Sequence, residues 1–303
     1  MANGNDITWP DSVWQDINAA VLTEVGKVRI AQKVFHATPL NNNAMEIPNE
    51  VINFADLSIT EGKTKPFVEI YQEFPLTSTQ VKKESESHIC KTLARMAAKA
   101  IALAEDVIIF QGSGGRLPAN VTADRVEQTA KGLLGEANPK DADDTDPNKV
   151  SEPIEVKPVV GRASVLYGEN TFSAVTDGIA KLVAKAQAQD YALFLPTKVF
   201  ADTFAPPSAQ SLVTTADRIK PLVEGGFYGT GTLPEDRGLL VALGGEPTSL
   251  YIGREATTEY VRKEGSKFFF RVVERIEFVA RDPRAFVLLK FLPVGLAAAA
   301  KKP

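Results

Sequence analysis

Apolar residues recur at intervals of three and four between residues 85 and 111, which predicts one long helix. This stretch contains no Gly or Pro and is rich in Ala, Leu, Lys and Arg, all of which favour helix. A helix of that length would span roughly 40 Å at 1.5 Å per residue. Its last residues, 103–111, are apolar on nearly all sides, and Gly112 follows as a suitable C-cap. We therefore expect a central helix around which a domain is built.

A second amphipathic helix is predicted near the N-terminus. Pro10 and the polar residues after it resemble a helix start. The apolar stripe that follows consists of Trp14, Ile17, Val21, Val25 and Val28. Such a face must dock on a partner surface. It either covers part of the protein core or forms a groove for a partner peptide.

The remaining pattern predicts strands and an α/β module. Residues 51–60 and 66–76 read as two strands of a long hairpin, because the second alternates apolar and polar side chains. Residues 170–187 form a predicted helix, and 191–195 a buried strand. Two late strands are predicted at 268–280 and 285–291.

Composition limits the classes of function. The chain has 303 residues, enough for about two domains, and its formal net charge of −4 gives no basis for nucleic-acid binding by counterion release. Cys90 is the one cysteine, so no intramolecular disulfide exists. No secretory signal or membrane span is evident, so a cytoplasmic protein is expected. Residues 136–157 are strongly polar and predict a surface insertion without fixed structure.

Catalytic patterns are scarce. The histidines are His36 and His88, too few for a histidine-rich metal site. The segment 141–152 imitates a calcium-binding loop, but Asp146 stands where that loop needs Gly, which favours a solvated acidic loop. Glu105 and Asp106 are adjacent on the predicted central helix and point about 100° apart, so they cannot flank one reacting bond. We expect no catalytic residues, no metal site and no bound cofactor.

The order of these elements resembles the encapsulin shell proteins. The motifs that carry the resemblance are WQDI at 14–17, PFVEIYQEFPL at 66–76, LAEDVIIFQG at 103–112, KGLL at 131–134 and DPRAFVLLKF at 282–291. Each motif is weak alone, but together they follow the family order along most of the chain.

The resemblance implies an α+β fold of the tailed-bacteriophage major-capsid-like (Hong Kong 97-type) class. It implies an N-terminal amphipathic helix at 1–37 and an extended hairpin loop at 50–77. The implied peripheral domain comprises residues 38–49, 78–158 and 255–292 and contains the long central helix. An axial α/β domain would follow at 159–254, with a flexible tail at 293–303.

The resemblance also implies a function. Encapsulin subunits assemble into a hollow icosahedral shell, and their first helix holds a short C-terminal peptide of a cargo enzyme. The positions implied for the cargo groove are Val21, Val25, Val28, Gln32, His36 and Val272. The residues implied for the inter-subunit hairpin are Phe67, Glu69, Tyr71 and Glu73. Some encapsulins bind flavin, but no residue set here carries that property over.

Two other classes stay open. Tailed-phage major capsid proteins have the same fold and similar motifs, and they enclose DNA, so the protein would then belong to a virion. An enzyme with an unrecognised site is the remaining hypothesis. Gln32 and His36 depart from the basic and acidic residues usual at those encapsulin positions, which leaves charge-assisted cargo binding in doubt.

Overall fold

The computed structural model describes residues 7–40, 45–49, 51–54, 56–60, 64–126, 131–159, 166–206 and 213–293. Its helices are α1 (Asp11–Val28), α2 (Ser78–Lys82), α3 (Glu84–Ser87), α4 (Ile89–Gln111), α5 (Gly132–Glu136), α6 (Glu169–Ala184), α7 (Thr197–Thr203) and α8 (Thr215–Ile219). Short 3-10 helices occur as well, including Ala31–Lys33 directly after α1.

The strands are short in the first part of the chain and long near its end. They are β1 (Ala37–Pro39), β2 (Glu46–Pro48), β3 (Val51–Asn53), β4 (Ser58–Thr60), β5 (Thr64–Pro66), β6 (Val68–Thr77), β7 (Thr122–Asp124), β8 (Ile154–Val156), β9 (Tyr191–Pro196), β10 (Gly226–Thr230), β11 (Arg237–Ala242), β12 (Thr248–Glu264), β13 (Lys267–Ala280) and β14 (Phe286–Phe291).

The chain divides into two compact units, and each mixes helix with sheet. The first unit comprises residues 1–49, 62–130 and 250–278. The second comprises residues 50–61, 131–249 and 279–303. The α+β class is confirmed, whereas the domain bounds implied by the resemblance stay a prediction.

The first unit is a five-stranded sheet packed with α1 and α4. The sheet order is β1-β12-β13-β6-β7, in which β6 pairs antiparallel with β13 over ten residues from Val68 to Thr77. Apolar side chains of the sheet, including Ile70 and Phe270, are fully buried. At the start of α1, Trp9 stacks on Phe270 with ring centroids 5.2 Å apart, which fixes the beginning of the helix on the sheet.

The predicted central helix is confirmed as α4 over residues 89–111, but the first turn predicted for it belongs to a separate helix, α3. His88 lies between the two in the left-handed conformation, with a φ of 50°, and interrupts the helix. The start of α4 is set by Glu84, whose buried carboxylate accepts hydrogen bonds from the backbone N–H groups of Cys90 (2.7 Å) and Lys91 (3.0 Å). These N–H groups lie in the first turn and have no partner within the helix. Gly112 ends the helix with a φ of 64°, as the sequence predicted.

The second unit is built on the sheet β10-β9-β11-β14-β8. Its core strand β9 is buried from Ala192 to Pro196. Helix α6 lies close on this sheet, because a Cβ atom at Gly178 would meet Leu240 Cδ2 at 2.8 Å. Any larger residue at position 178 would push the helix away from the sheet.

The expectation of an unstructured insertion at 136–157 is wrong. Lys185, the C-cap residue directly after α6, is 2% exposed, and its ammonium donates to the carbonyl oxygens of Asp143 (2.7 Å), Asp144 (3.2 Å) and Asp146. Lys181 binds the Asp144 carboxylate at 2.6 Å. β8, at the end of the insertion, joins the sheet beside β14. The ammonium groups of Lys181 and Lys185, at the end of α6, therefore order a segment whose composition alone suggests disorder. The segment predicted as a flexible tail lies, after residue 293, outside the described residues.

The long hairpin predicted from residues 51–60 and 66–76 is also wrong. β6 pairs with β13 and β7, while β2 pairs with β5 and β3 pairs with β4. The chain therefore folds back on itself between residues 46 and 66, which we call the 46–66 hairpin. Val68, Ile70 and Leu76 explain the difference, since these buried side chains require β6 to lie in the core sheet.

Candidate functional site

Helix α1 carries its apolar stripe into the first unit. Ile17, Val21 and Val25 are 1%, 0% and 0% exposed, and the helix packs against α4. These residues have the spacing of one helix face, so their burial follows from the pattern once a partner helix is present. The stripe is core, which was one of the two alternatives left open by the sequence.

Ion pairs at the edge of this contact connect α1 with α4. Lys91 Nζ lies 2.8 Å from Asp16 Oδ1, and Arg95 Nη2 lies 2.9 Å from Glu24 Oε2. Lys99 approaches the same Glu24 carboxylate at 3.3 Å. These ion pairs connect the two helices at the rim of their apolar contact, and Glu24 is itself 5% exposed.

Three of the six residues implied for a cargo groove lie in the core, and the other three reach the surface. Val21, Val25 and Val272 are all 0% exposed. Val28 and Gln32 are half-buried, and His36 is exposed. A peptide cannot contact side chains that lie inside the folded unit, so Val21, Val25 and Val272 cannot line a groove in this structure.

The exposed face of α1 presents a different set. Ala19, Leu22 and Gly26 follow the spacing of one stripe, and all three are exposed. Leu22 is 44% exposed, and a Cβ atom added at Gly26 would meet nothing within 4 Å. This stripe is the exposed apolar part of α1.

The residues implied for the inter-subunit hairpin lie in or beside β6. Phe67 is 3% exposed, so it belongs to the core. Glu69 pairs with Arg275 at 2.7 Å, and Glu73 pairs with Arg262 at 2.8 Å. Tyr71, which completes the set, lies under the Arg271 guanidinium, 5.1 Å from it. All four have partners within the chain because β6 is an inner strand of the sheet.

The 46–66 hairpin presents apolar side chains that sequence reasoning missed. Leu57 is 79% exposed and Ile59 is 55% exposed. Asp56 shapes the turn before them, since its carboxylate accepts from the N–H of Ser58 at 3.0 Å and from its hydroxyl at 2.7 Å. An Asp-Leu-Ser turn inside residues 51–60 was the available signal that one strand should be read as two.

Among the described residues, no group of three or more His, Cys, Asp or Glu side chains could hold a metal ion. No described helix is long and apolar enough to cross a membrane. Cys90 is buried, and burial raises the pKa of its thiol, which disfavours the reactive thiolate.

Comparison with known proteins supports the resemblance. The model of the family Linocin_M18, described as an encapsulating protein for peroxidase, matches residues 158–277. No curated protein matches the chain.

Solved structures match over most of the chain. A virus-like particle from Pyrococcus furiosus is 15% identical, with a TM-score of 0.63 over 91% of this chain and 99% of that chain. The SrpI encapsulin of Synechococcus elongatus is 12% identical, with a TM-score of 0.52 over 85% of both chains.

A phage capsid matches comparably. The capsid of the Myoviridae phage XM1 is 12% identical, with a TM-score of 0.54 over 88% of this chain and 92% of that chain. Identities this low show a shared fold. The resemblance inferred from the sequence motifs is thus confirmed: the chain matches the encapsulating-protein family over residues 158–277 and has the fold common to encapsulins and phage capsids.

Proposed function

We propose that the chain is the subunit of a closed, hollow protein shell that encloses a cargo protein. The observation that carries this proposal is the match to the encapsulating-protein family within a fold shared, over most of the chain, with particle-forming proteins. The role is structural, and its chief partner is a second copy of the chain. In such a subunit, the unit built on α4 would be peripheral and the unit built on α6 axial.

The proposed shell is tested by its size. The subunit has a mass of 32.8 kDa, and purified protein should elute as particles of many subunits that electron microscopy resolves as closed shells. Particles should form without added ligand, because heterologous contacts that close under rotation need only the subunit. Elution as monomer or dimer at all protein and salt concentrations would refute the proposal.

We propose that the 46–66 hairpin contributes to the contact between subunits. Large apolar side chains that are strongly exposed close together in the sequence, here Leu57 and Ile59, are typical of surfaces that another protein covers. Replacing both with Asp should prevent closed particles while leaving the subunit folded, since neither side chain is buried. Leu57→Met is the matched control, because it keeps the apolar area and should assemble normally. Normal particles from the double Asp variant would exclude the hairpin from the contact.

Cargo binding is proposed on the exposed stripe of α1. The family description names a peroxidase as the enclosed protein, so a peroxidase with a short apolar C-terminal segment is the first cargo to test. Leu22→Asp should reduce co-purification of that cargo without affecting assembly. Thr23→Asp adds the same charge beside the stripe and should load normally. If the Leu22→Asp variant co-purified with as much cargo as the wild type, the exposed stripe of α1 would be excluded as the cargo-binding site.

The phage-capsid fold match keeps a second candidate function, a shell that encloses DNA. The contents of particles from the native host separate the two functions. Protein cargo identified by mass spectrometry, with an absorbance ratio typical of protein, supports the encapsulating shell. Nuclease-protected DNA would support the phage-type capsid and refute the cargo proposal.

A further inference from the structure

A buried polar cluster joins the end of α1 to α4 and β13. Arg29 is 5% exposed, and its Nε lies 2.5 Å from Glu105 Oε2. Its Nη2 donates to Glu274 Oε1. Glu105 and Glu274 are both 0% exposed. One guanidinium therefore bridges two carboxyl groups that have no access to water.

Gln32 completes this cluster. Arg29 Nη1 donates to Gln32 Oε1 at 3.1 Å, and Gln32 Nε2 donates to Glu105 Oε1 at 2.8 Å. Glu274 Oε2 is buried without a hydrogen-bond partner. We call Arg29, Gln32, Glu105 and Glu274 the Arg29 clamp. Within the clamp, the buried oxygen Glu274 Oε2 accepts no hydrogen bond. An unpaired buried carboxylate oxygen destabilises the folded state unless it carries a proton.

The charged groups around the clamp do not balance it. The acidic groups that act on it are Asp106 from α4 and Glu255 from β12, and Lys33 is a cation that acts on Asp106. Asp106 has its own donors, the N–H groups of Ile30 (2.9 Å) and Ala31 (2.9 Å). Glu105 and Glu274, if both ionised, would thus share the charge of Arg29 and leave a net negative charge inside the unit. An unpaired buried charge strongly destabilises a fold.

We propose that Glu105 and Glu274 share one proton, which makes the Arg29 clamp neutral and fixes the C-terminal end of α1. Loss of this proton at alkaline pH loosens that end of the helix from α4 and β13. The inference depends on the geometry of the first unit and stands whether or not the chain forms a shell.

Electrostatics agree with the geometry. Burial raises the pKa of Glu105, as does the charge of Glu274, while Arg29 lowers it. Burial also raises the pKa of Glu274 against the lowering effect of Arg29. A raised folded pKa means that the native state binds a proton that the unfolded state has released. This stabilisation is complete below the ordinary pKa of Glu and is lost as the pH rises through the raised folded pKa.

The proposal is tested with Glu274→Gln in the full-length protein. The Gln carbonyl can still accept from Arg29, and its amide supplies the hydrogen that the shared proton would supply. In the wild type, each increase of one pH unit between pH 5 and the raised pKa should increase the unfolding equilibrium constant by up to about tenfold, because the stabilisation from the clamp proton is lost. Glu274→Gln should remove this share of the pH dependence and be more stable than the wild type at pH 9.

Glu86→Gln is the matched control. It removes an exposed carboxylate of the same unit, on α3, and keeps all four clamp residues and the charged groups that act on them, so it should retain the wild-type pH dependence. Identical pH dependence of Glu274→Gln and the wild type would overturn the proposal.

Hydrogen exchange gives a second test that needs no variant. Corrected for the intrinsic effect of pH on exchange, protection of the amides at 25–31 should decrease between pH 6 and pH 9 in the wild type. Protection in α6, which belongs to the second unit, should change less. Unchanged protection at 25–31 would refute the role assigned to the proton.

Discussion

The Val25→Asp substitution tests whether the side of α1 that carries Val25 is part of the core. Val25 is 0% exposed, and removing its buried side chain costs about 1.5–3 kcal/mol. The new carboxyl group must stay protonated at pH 7, about three pH units above its ordinary pKa, which costs about 4 kcal/mol more. The sum of roughly 6 kcal/mol approaches the whole stability of many domains. Val25→Asp should therefore unfold the first unit rather than merely weaken cargo binding.

The assay is urea unfolding followed by circular dichroism, with Leu22→Asp as the control. Leu22 is 44% exposed, so the same charge three residues away should change the free energy of unfolding by no more than about 0.5 kcal/mol. A Val25→Asp variant within about 1 kcal/mol of the wild type would refute the assignment of this stripe to the core.

Three further predictions concern buried polar groups. Lys185→Met should make residues 139–150 sensitive to limited proteolysis, because three backbone carbonyls lose their donor; Lys198→Met, at an exposed ion pair, should have no such effect. Glu84→Ala should lower stability by about 1 kcal/mol in thermal unfolding through loss of the cap at the start of α4, and an unchanged midpoint would contradict that role. Burial raises the pKa of Glu277 to about 7, against the opposing effect of Lys65, so the stabilisation from its proton is lost as the pH rises from about 4.5 through 7. Glu277→Gln should remove that part of the pH dependence of thermal unfolding, and an unchanged profile would count against it.

The helices were predictable because their determinants are local. The stripe of α4 has the period of a helix, and Ala and Leu favour that conformation, so pattern and propensity agree. α1 was found in the same way. Neither the period nor the propensity says what covers an apolar face, and for this reason Val25 was equally compatible with a core and with a peptide groove.

The pairing of the strands could not be predicted from the local sequence pattern. Alternation along residues 68–77 correctly predicted a strand, but its partner β13 lies almost two hundred residues later in the chain. The short strands β3 and β4 were likewise read as one strand at 51–60, because three-residue strands carry almost no periodic signal.

Only some residues of the buried polar clusters could be recognised from the sequence. Glu105 and Asp106 were noticed as adjacent carboxylates, but nothing in the sequence places Arg29 between Glu105 and Glu274. The contacts of Lys185 were hidden in the same way, because its position directly after α6 gives no sign that it binds the acidic insertion. Such contacts depend on the tertiary fold and become visible only when distant segments are brought together.

The ammonium of Lys185 has a consequence for how the acidic insertion responds to its surroundings. Loops of this composition often need a dissolved divalent ion, and their order then follows the concentration of that ion. Here the cation is the side chain of Lys185, directly after α6, so it cannot be diluted, chelated or exchanged. The fold of residues 143–146 is therefore tied to a helix of the same unit, and EDTA should leave its protection from proteolysis unchanged.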